Sequence, residues 1–108
     1  MRPLLGSLEL GGTKAIVAVA RDPLKPLRRE RIPTRDPETT LSEIAAFFAD
    51  AAAEHGHLAA LGIASFGPID IRPGSPSWGR MGRTTKPGWA GADVAGFLGR
   101  QLGCPVAL

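Results

Sequence analysis

The chain has 108 residues, a net charge of +3 and 44% hydrophobic residues. That makes it one globular domain at most, and short for a complete two-substrate enzyme. No apolar run is long enough to span a bilayer, and Met1 and Arg2, with a short apolar patch and then acidic Glu9, make a poor secretory signal. The mild charge comes with no recognition-helix motif and no interleaving of basic and aromatic residues, which argues against a nucleic-acid partner. The single cysteine, Cys104, cannot form an internal disulfide, and a reducing cytoplasm is the expected compartment.

Leu4 to Leu10 and Ala15 to Ala20 read as two strands. Both are apolar at nearly every position, the pattern of strands covered on both faces. Between them stands Gly11-Gly12-Thr13-Lys14. Two adjacent glycines permit a sharp turn through positive φ and let successive N–H groups line one concavity for an anion; a hydroxyl and a cation follow. The same dipeptide also makes an ordinary hairpin turn. The standard phosphate-loop spacing fails, because Gly12 and Thr13 stand where Lys and Ser/Thr are required, and the dinucleotide fingerprint is absent. A phosphate site here belongs to a loop joining two strands.

Asp22-Pro23 and Lys25-Pro26 mark the next turn. Leu27 to Pro33 is a more polar strand suited to a sheet edge, and Arg28, Arg29 and Arg31, interrupted by Glu30, read as its solvated face. A helix follows. Asp36 is its N-cap, Pro37 its first residue, and Glu38 suits the positive end of the dipole. Leu41, Ile44, Ala45, Phe48, Ala51 and Ala52 share one face at helical spacing, and Gly56 stops the helix. His55 and His57, with no cysteine nearby, make a poor metal site.

Leu58 to Phe66 is a further apolar strand, after which Gly67-Pro68-Ile69-Asp70 opens an irregular stretch running to about Ala90. So long a loop in a compact domain is functional or disordered. Both tryptophans, Trp78 and Trp89, lie in it, which speaks against disorder. It also follows the carboxyl end of a central strand, where ligands bind in open α/β sheets. Asp70, Trp78, Lys86 and Trp89 could supply a carboxylate, apolar faces and a charge for a polyol; the alternative is that the tryptophans pin the loop to the core. Arg80 and Arg83, with Lys86, could meet an anionic ligand.

Ala92 to Leu102 reads as a second helix with Val94, Phe97, Leu98 and Leu102 inward and Gly103 as its stop. Cys104 to Leu108 begins a strand, with Cys104 a buried small residue. A domain that ends inside a strand leaves an apolar face unpaired, so the chain is expected to be part of a longer one, with one sheet face left bare. The order of elements predicts an α/β fold with a mixed sheet, antiparallel at first and parallel later, and helices on its faces.

Three stretches carry a resemblance: Glu9-Leu10-Gly11-Gly12-Thr13-Lys14, then Gly62-Ile63-Ala64-Ser65-Phe66-Gly67-Pro68-Ile69-Asp70, then Thr84-Thr85-Lys86-Pro87-Gly88-Trp89. At this separation they resemble the amino-terminal domain of the ROK sugar kinases, and within them the bacterial fructokinases, over essentially residues 1–108. The resemblance implies an actin-like ATPase (ribonuclease H-like) domain, ATP and magnesium as cofactors, and phosphoryl transfer to a hexose hydroxyl, most simply fructose to fructose 6-phosphate. Another hexose or amino sugar, or an inactive remnant, are the alternatives. By resemblance, Gly11, Gly12, Thr13 and Lys14 receive the ATP phosphates, Glu9 lies near the magnesium-bound phosphates, and Gly67, Pro68 and Asp70 form part of the sugar-side wall. The resemblance also implies a catalytic aspartate and a zinc-binding cluster past Leu108, a second domain, and a homodimer for a longer form. The 108-residue polypeptide is accordingly expected to lack turnover. A sugar-responsive ROK regulator fits poorly, because a DNA-binding segment would have to precede Glu9.

Overall fold

The computed structural model describes residues 2–108. β1 (Leu4–Leu10) and β2 (Lys14–Ala20) form an antiparallel hairpin, and β3 (Arg28–Pro33) continues it antiparallel to β2. α1 (Pro37–His55) then crosses to β4 (Leu58–Ser65), parallel to β1. A long irregular loop leads to α2 (Val94–Leu102) and to the short β5 (Val106–Ala107), parallel to β4. The five-stranded sheet has the order β3-β2-β1-β4-β5, which puts β1 at its centre and β3 at an edge.

Local chemistry sets the helix ends. The Asp36 carboxylate accepts the Thr39 N–H at 2.9 Å, Pro37 opens α1 where its missing N–H has no intrahelical role, and Gly56 caps the end at φ 107°. α2 starts two residues later than its apolar pattern suggests, because the Asp93 carboxylate caps it through the Gly96 N–H at 3.1 Å.

The core lies on one side of the sheet. Leu8, Leu10, Val17, Val19 and Leu61 point to that side and meet Ile44, Phe48 and Ala51 of α1 and Leu98 of α2. Full burial of a side chain such as Ile44 or Phe48 contributes roughly 1.5–3 kcal/mol. Phe47, outside the predicted apolar stripe, is also buried, edge-on to Phe48 and beneath the Arg28 guanidinium, which lies 5.0 Å from its ring centroid.

The expectation that β1 and β2 are covered on both faces is corrected. In β1, Leu4, Gly6, Leu8 and Leu10 are buried while Leu5, Ser7 and Glu9 are exposed. Ile16, Ala18 and Ala20 of β2 are only partly covered. The open face is largely small or polar, so apolarity along these strands did not require a second layer. The arginine cluster divides in the same way. Arg28 and Glu30 pair at 2.9 Å on the helix side, whereas Arg29 and Arg31 stand opposite Ala18 and Ile16 on the open face.

The long loop folds on itself. Asp70 N–H donates to the Arg80 carbonyl at 3.1 Å, Gly79 N–H to the Asp70 carbonyl at 2.7 Å, and Gly82 N–H to the Pro68 carbonyl at 2.7 Å. Met81 is buried beneath this ladder.

Candidate functional site

β1 and β4 run parallel, with Leu10 opposite Ser65, and the Phe66 N–H donates to the Leu10 carbonyl at 2.6 Å. The Gly11-Gly12-Thr13 turn and the Gly67-Pro68-Ile69-Asp70 segment therefore leave the sheet at the same end. That is the carboxyl end of the parallel strands, where α/β sheets bind ligands.

The turn is closed by a hydrogen bond from the Gly11 N–H to the Lys14 carbonyl at 2.9 Å. Its glycines serve a different purpose from the one predicted. Neither Gly11 nor Gly12 has positive φ. A Cβ on Gly11 would lie 2.9 Å from the Lys14 carbonyl oxygen, so close backbone approach excludes a side chain there. A Cβ on Gly12 would meet nothing within 4 Å; it would project into open space where a ligand could approach the backbone. The N–H groups of Gly12 and Thr13 donate to no protein acceptor among the described residues. Such unpaired donors in a turn are what a bound anion satisfies.

From behind, the turn is braced by Thr34, which is only 7% exposed. Its hydroxyl donates to the Gly11 carbonyl at 2.7 Å and its N–H donates to the Thr13 carbonyl at 2.9 Å. Around the turn opens a cleft of about 470 Å³, lined by Glu9, Gly11 to Lys14, Ile16, Ala64 and Ser65. Glu9 stands between its cross-strand neighbours Ile16 and Ala64. Glu9 and Lys14 are exposed, and neither forms an ion pair within the chain among the described residues. The structure thus brings Glu9, Gly11, Gly12, Thr13 and Lys14 together in one cleft.

The other predicted residues lie elsewhere. Pro68 and Asp70 line a second cleft of about 380 Å³ with Arg72, Ser77, Arg80 and Met81, and Gly67 is exposed between the two clefts in sequence. Asp70 is no free carboxylate. It accepts the N–H, Nε and Nη2 groups of Arg72 and the hydroxyls of Ser75 and Ser77 at 2.5–3.0 Å. The Arg72 guanidinium and the two serine hydroxyls hold its carboxyl far below the usual carboxylate range. Trp78 and Lys86 are half-buried and line neither cleft. Trp89 is fully buried, packs edge-on to Phe66 at 5.4 Å, and donates its indole N–H to the Arg35 carbonyl at 2.8 Å. It pins the loop to the core, and its predicted role as a sugar contact is corrected. Cys104 is buried, and burial pushes its thiol up.

Thr34, Ile16, Ala64 and Ser65 escaped sequence reading. Ile16 and Ala64 are legible once Glu9 is placed in register. Thr34 needs the β2–β3 pairing, in which Pro33 faces Lys14 and the next residue falls beside Thr13.

The sequence pattern of the ROK family matches residues 5–108. The chain belongs to the ROK family. It is 39% identical over 108 residues to a fructokinase of Zymomonas mobilis, covering 99% of this chain and 36% of that protein. It is 38% identical over 105 residues to a fructokinase of Streptococcus mutans, covering 97% of this chain and 35% of that one. The chain therefore spans little more than a third of the curated relatives it matches. Among solved structures, it superposes on a ROK glucokinase of Streptomyces griseus, crystallised with glucose and AMPPNP, with a TM-score of 0.76. That match has 22% identity and covers 97% of this chain and 32% of that one. The five-stranded sheet with its helices is the actin-like ATPase fold of the ROK sugar kinases, as the three stretches predicted.

Proposed function

We propose that this ROK domain provides the phosphate-binding part of an ATP-dependent hexose kinase, with fructose as the acceptor and fructose 6-phosphate as the product. One observation carries the reading: the unpaired N–H groups of Gly12 and Thr13 in the cleft that also holds Lys14 and Glu9. The fructokinase relatives support the choice of sugar.

In the transfer, the sugar hydroxyl oxygen bonds to the γ-phosphorus, the bridging P–O bond breaks, and ADP leaves. Catalysis of this step is mostly positioning and charge stabilisation. The Gly12 and Thr13 N–H groups hold the phosphate oxygens, and the Thr13 hydroxyl and Lys14 ammonium add a donor and a charge. The exposed Glu9 carboxylate fits a magnesium site of the kind that uses one or two carboxylates together with substrate phosphates. When bound, that ion supplies neutralisation of the phosphate charge. The proton of the sugar hydroxyl passes to a base carried by the remainder of the kinase. Glu9 is the only carboxylate lining the cleft among the described residues, and it stands on the phosphate side.

A chimera tests the reading. Residues 1–108 replace the matching third of the Zymomonas mobilis fructokinase, and kcat/KM is measured for fructose, glucose, mannose and an amino sugar. Fructose is expected to be the best substrate, and Gly12→Val in the chimera is expected to abolish turnover. An active chimera that ignores Gly12→Val would remove the phosphate role, and preference for another sugar would replace fructose.

A further inference from the structure

We propose that Thr34 is a positioning residue for the phosphate turn, which by holding the Gly11 carbonyl aims the Gly12 N–H at the bound phosphate. This rests on the phosphate reading above and names the device that makes it work.

Thr34 grips the turn on both sides of Gly12: its hydroxyl holds the Gly11 carbonyl and its N–H holds the Thr13 carbonyl. A trans peptide is planar, so its N–H points opposite to its C=O. With the Gly11 carbonyl turned toward Thr34, the Gly12 N–H is turned away from it. The Thr13 carbonyl fixes the Lys14 N–H in the same sense. Two adjacent glycines have a wide choice of backbone conformations, and neither is held here in the left-handed region. The turn's own bond, from the Gly11 N–H to the Lys14 carbonyl, does not engage the Gly11–Gly12 peptide, and the Thr34 hydroxyl is the group that holds it.

A second effect acts through the same bond. A carbonyl that accepts a hydrogen bond polarises its peptide and strengthens the N–H at the other end. Thr34 is itself well fixed. The neighbouring Arg35 N–H donates to the buried Thr40 hydroxyl at 2.8 Å, and the Arg35 carbonyl accepts the Trp89 indole. The turn is thus braced from α1 and from the long loop through two adjacent residues.

The test compares the wild-type chain with Thr34→Val, Thr34→Ser and Gly12→Val, using sodium tripolyphosphate as the probe in calorimetric and NMR titrations. Valine keeps the shape and removes the hydroxyl; serine keeps the hydroxyl. Thr34→Val is expected to weaken tripolyphosphate binding by about three- to tenfold, the worth of one hydrogen bond, and to move the Gly12 amide resonance in the unliganded protein. Thr34→Ser is expected to bind within about twofold of wild type, a rescue that a purely structural role would not require. If Thr34→Val binds like wild type with its Gly12 resonance unmoved, while Gly12→Val does not bind, the positioning role is overturned and the phosphate reading stands. If the wild-type chain does not bind tripolyphosphate, both fall. Should Thr34→Val fail to fold, the Gly11 carbonyl 13C resonance of the wild type decides. It shifts together with the Gly12 N–H on saturation if the two act as one polarised peptide, and a stationary resonance overturns the proposal.

Discussion

The Trp89 indole N–H donates to the Arg35 carbonyl at 2.8 Å, tying the long loop to the segment between β3 and α1. The tryptophan is fully buried, and its ring meets Phe66 edge-on. The bond matters because Arg35 follows Thr34, the residue behind the glycine turn. Trp89→Phe removes the donor and part of the ring, leaves a carbonyl without its partner and is expected to cost about 1–3 kcal/mol. Trp89→Ala adds a cavity and is expected to cost about 3–5 kcal/mol. Urea unfolding of the two variants checks both values, and a Trp89→Phe variant as stable as wild type would mean that the indole N–H contributes nothing.

Gly6 is buried in β1 beneath α1. A Cβ there would lie 2.9 Å from Phe48 Cε1 and 3.1 Å from Leu61 Cδ1. Gly6→Ala should overpack the core and destabilise the chain by about 1–3 kcal/mol. Pairing it with Phe48→Leu should recover part of that loss, since residues in contact do not act additively. A double-mutant cycle in urea tests this, and strict additivity would show that the Phe48 ring moves aside at no cost.

The two glycines of the turn should respond in opposite ways. Gly11→Ala places a methyl group against the Lys14 carbonyl oxygen and is expected to destabilise the fold. Gly12→Ala meets no protein atom within 4 Å, so its stability should stay within about 0.5 kcal/mol of wild type. Its methyl group nevertheless stands where a phosphate would approach, and Mg-ATP affinity should fall by at least about tenfold, equivalent to ~1.4 kcal/mol. Thermal melts and calorimetric titrations of both variants separate the two effects.

Asp70 gives the fold a pH dependence of predictable sign. Its partners hold its folded-state pKa below the unfolded value, and Asp36, capping α1, is shifted the same way by its bonds to Thr39. A carboxylate with a depressed folded pKa stabilises fully above the unfolded pKa of about 3.9 and loses that contribution as pH falls toward the folded value. Stability should therefore hold between about pH 6 and pH 5 and decline below about pH 4. The gap between wild type and Asp70→Asn should be widest at the upper end and shrink with acid. Urea midpoints across that range check the slope, and a gap that widens on acidification would contradict the assignment.

The elements legible in the sequence were those specified by neighbouring residues. Asp36, Pro37 and Gly56 bound α1 through contacts within a few positions, and the turn between β1 and β2 needed only Gly11 and Gly12 between apolar runs. Three features depended on partners distant in the chain and were not legible. The open face of β1 and β2 reads as apolar because Leu5, Ile16, Ala18 and Ala20 count as apolar, yet the helices pack only on the other face. Trp89 carries the same composition signal whether it faces a sugar or a core, and the Arg35 carbonyl decides between them. Asp70 reads as available to a ligand, but Arg72, Ser75 and Ser77 occupy its oxygens.

The central claim is that the glycine turn receives the phosphates of ATP. Amide NMR of the 108-residue chain titrated with Mg-ATP tests it most directly. The account predicts that the largest shifts fall on Gly12, Thr13 and Lys14, that Gly12→Val removes them, and that the loop from Asp70 to Met81 is little affected. Largest shifts on that loop, or shifts on the turn that survive Gly12→Val, would contradict it.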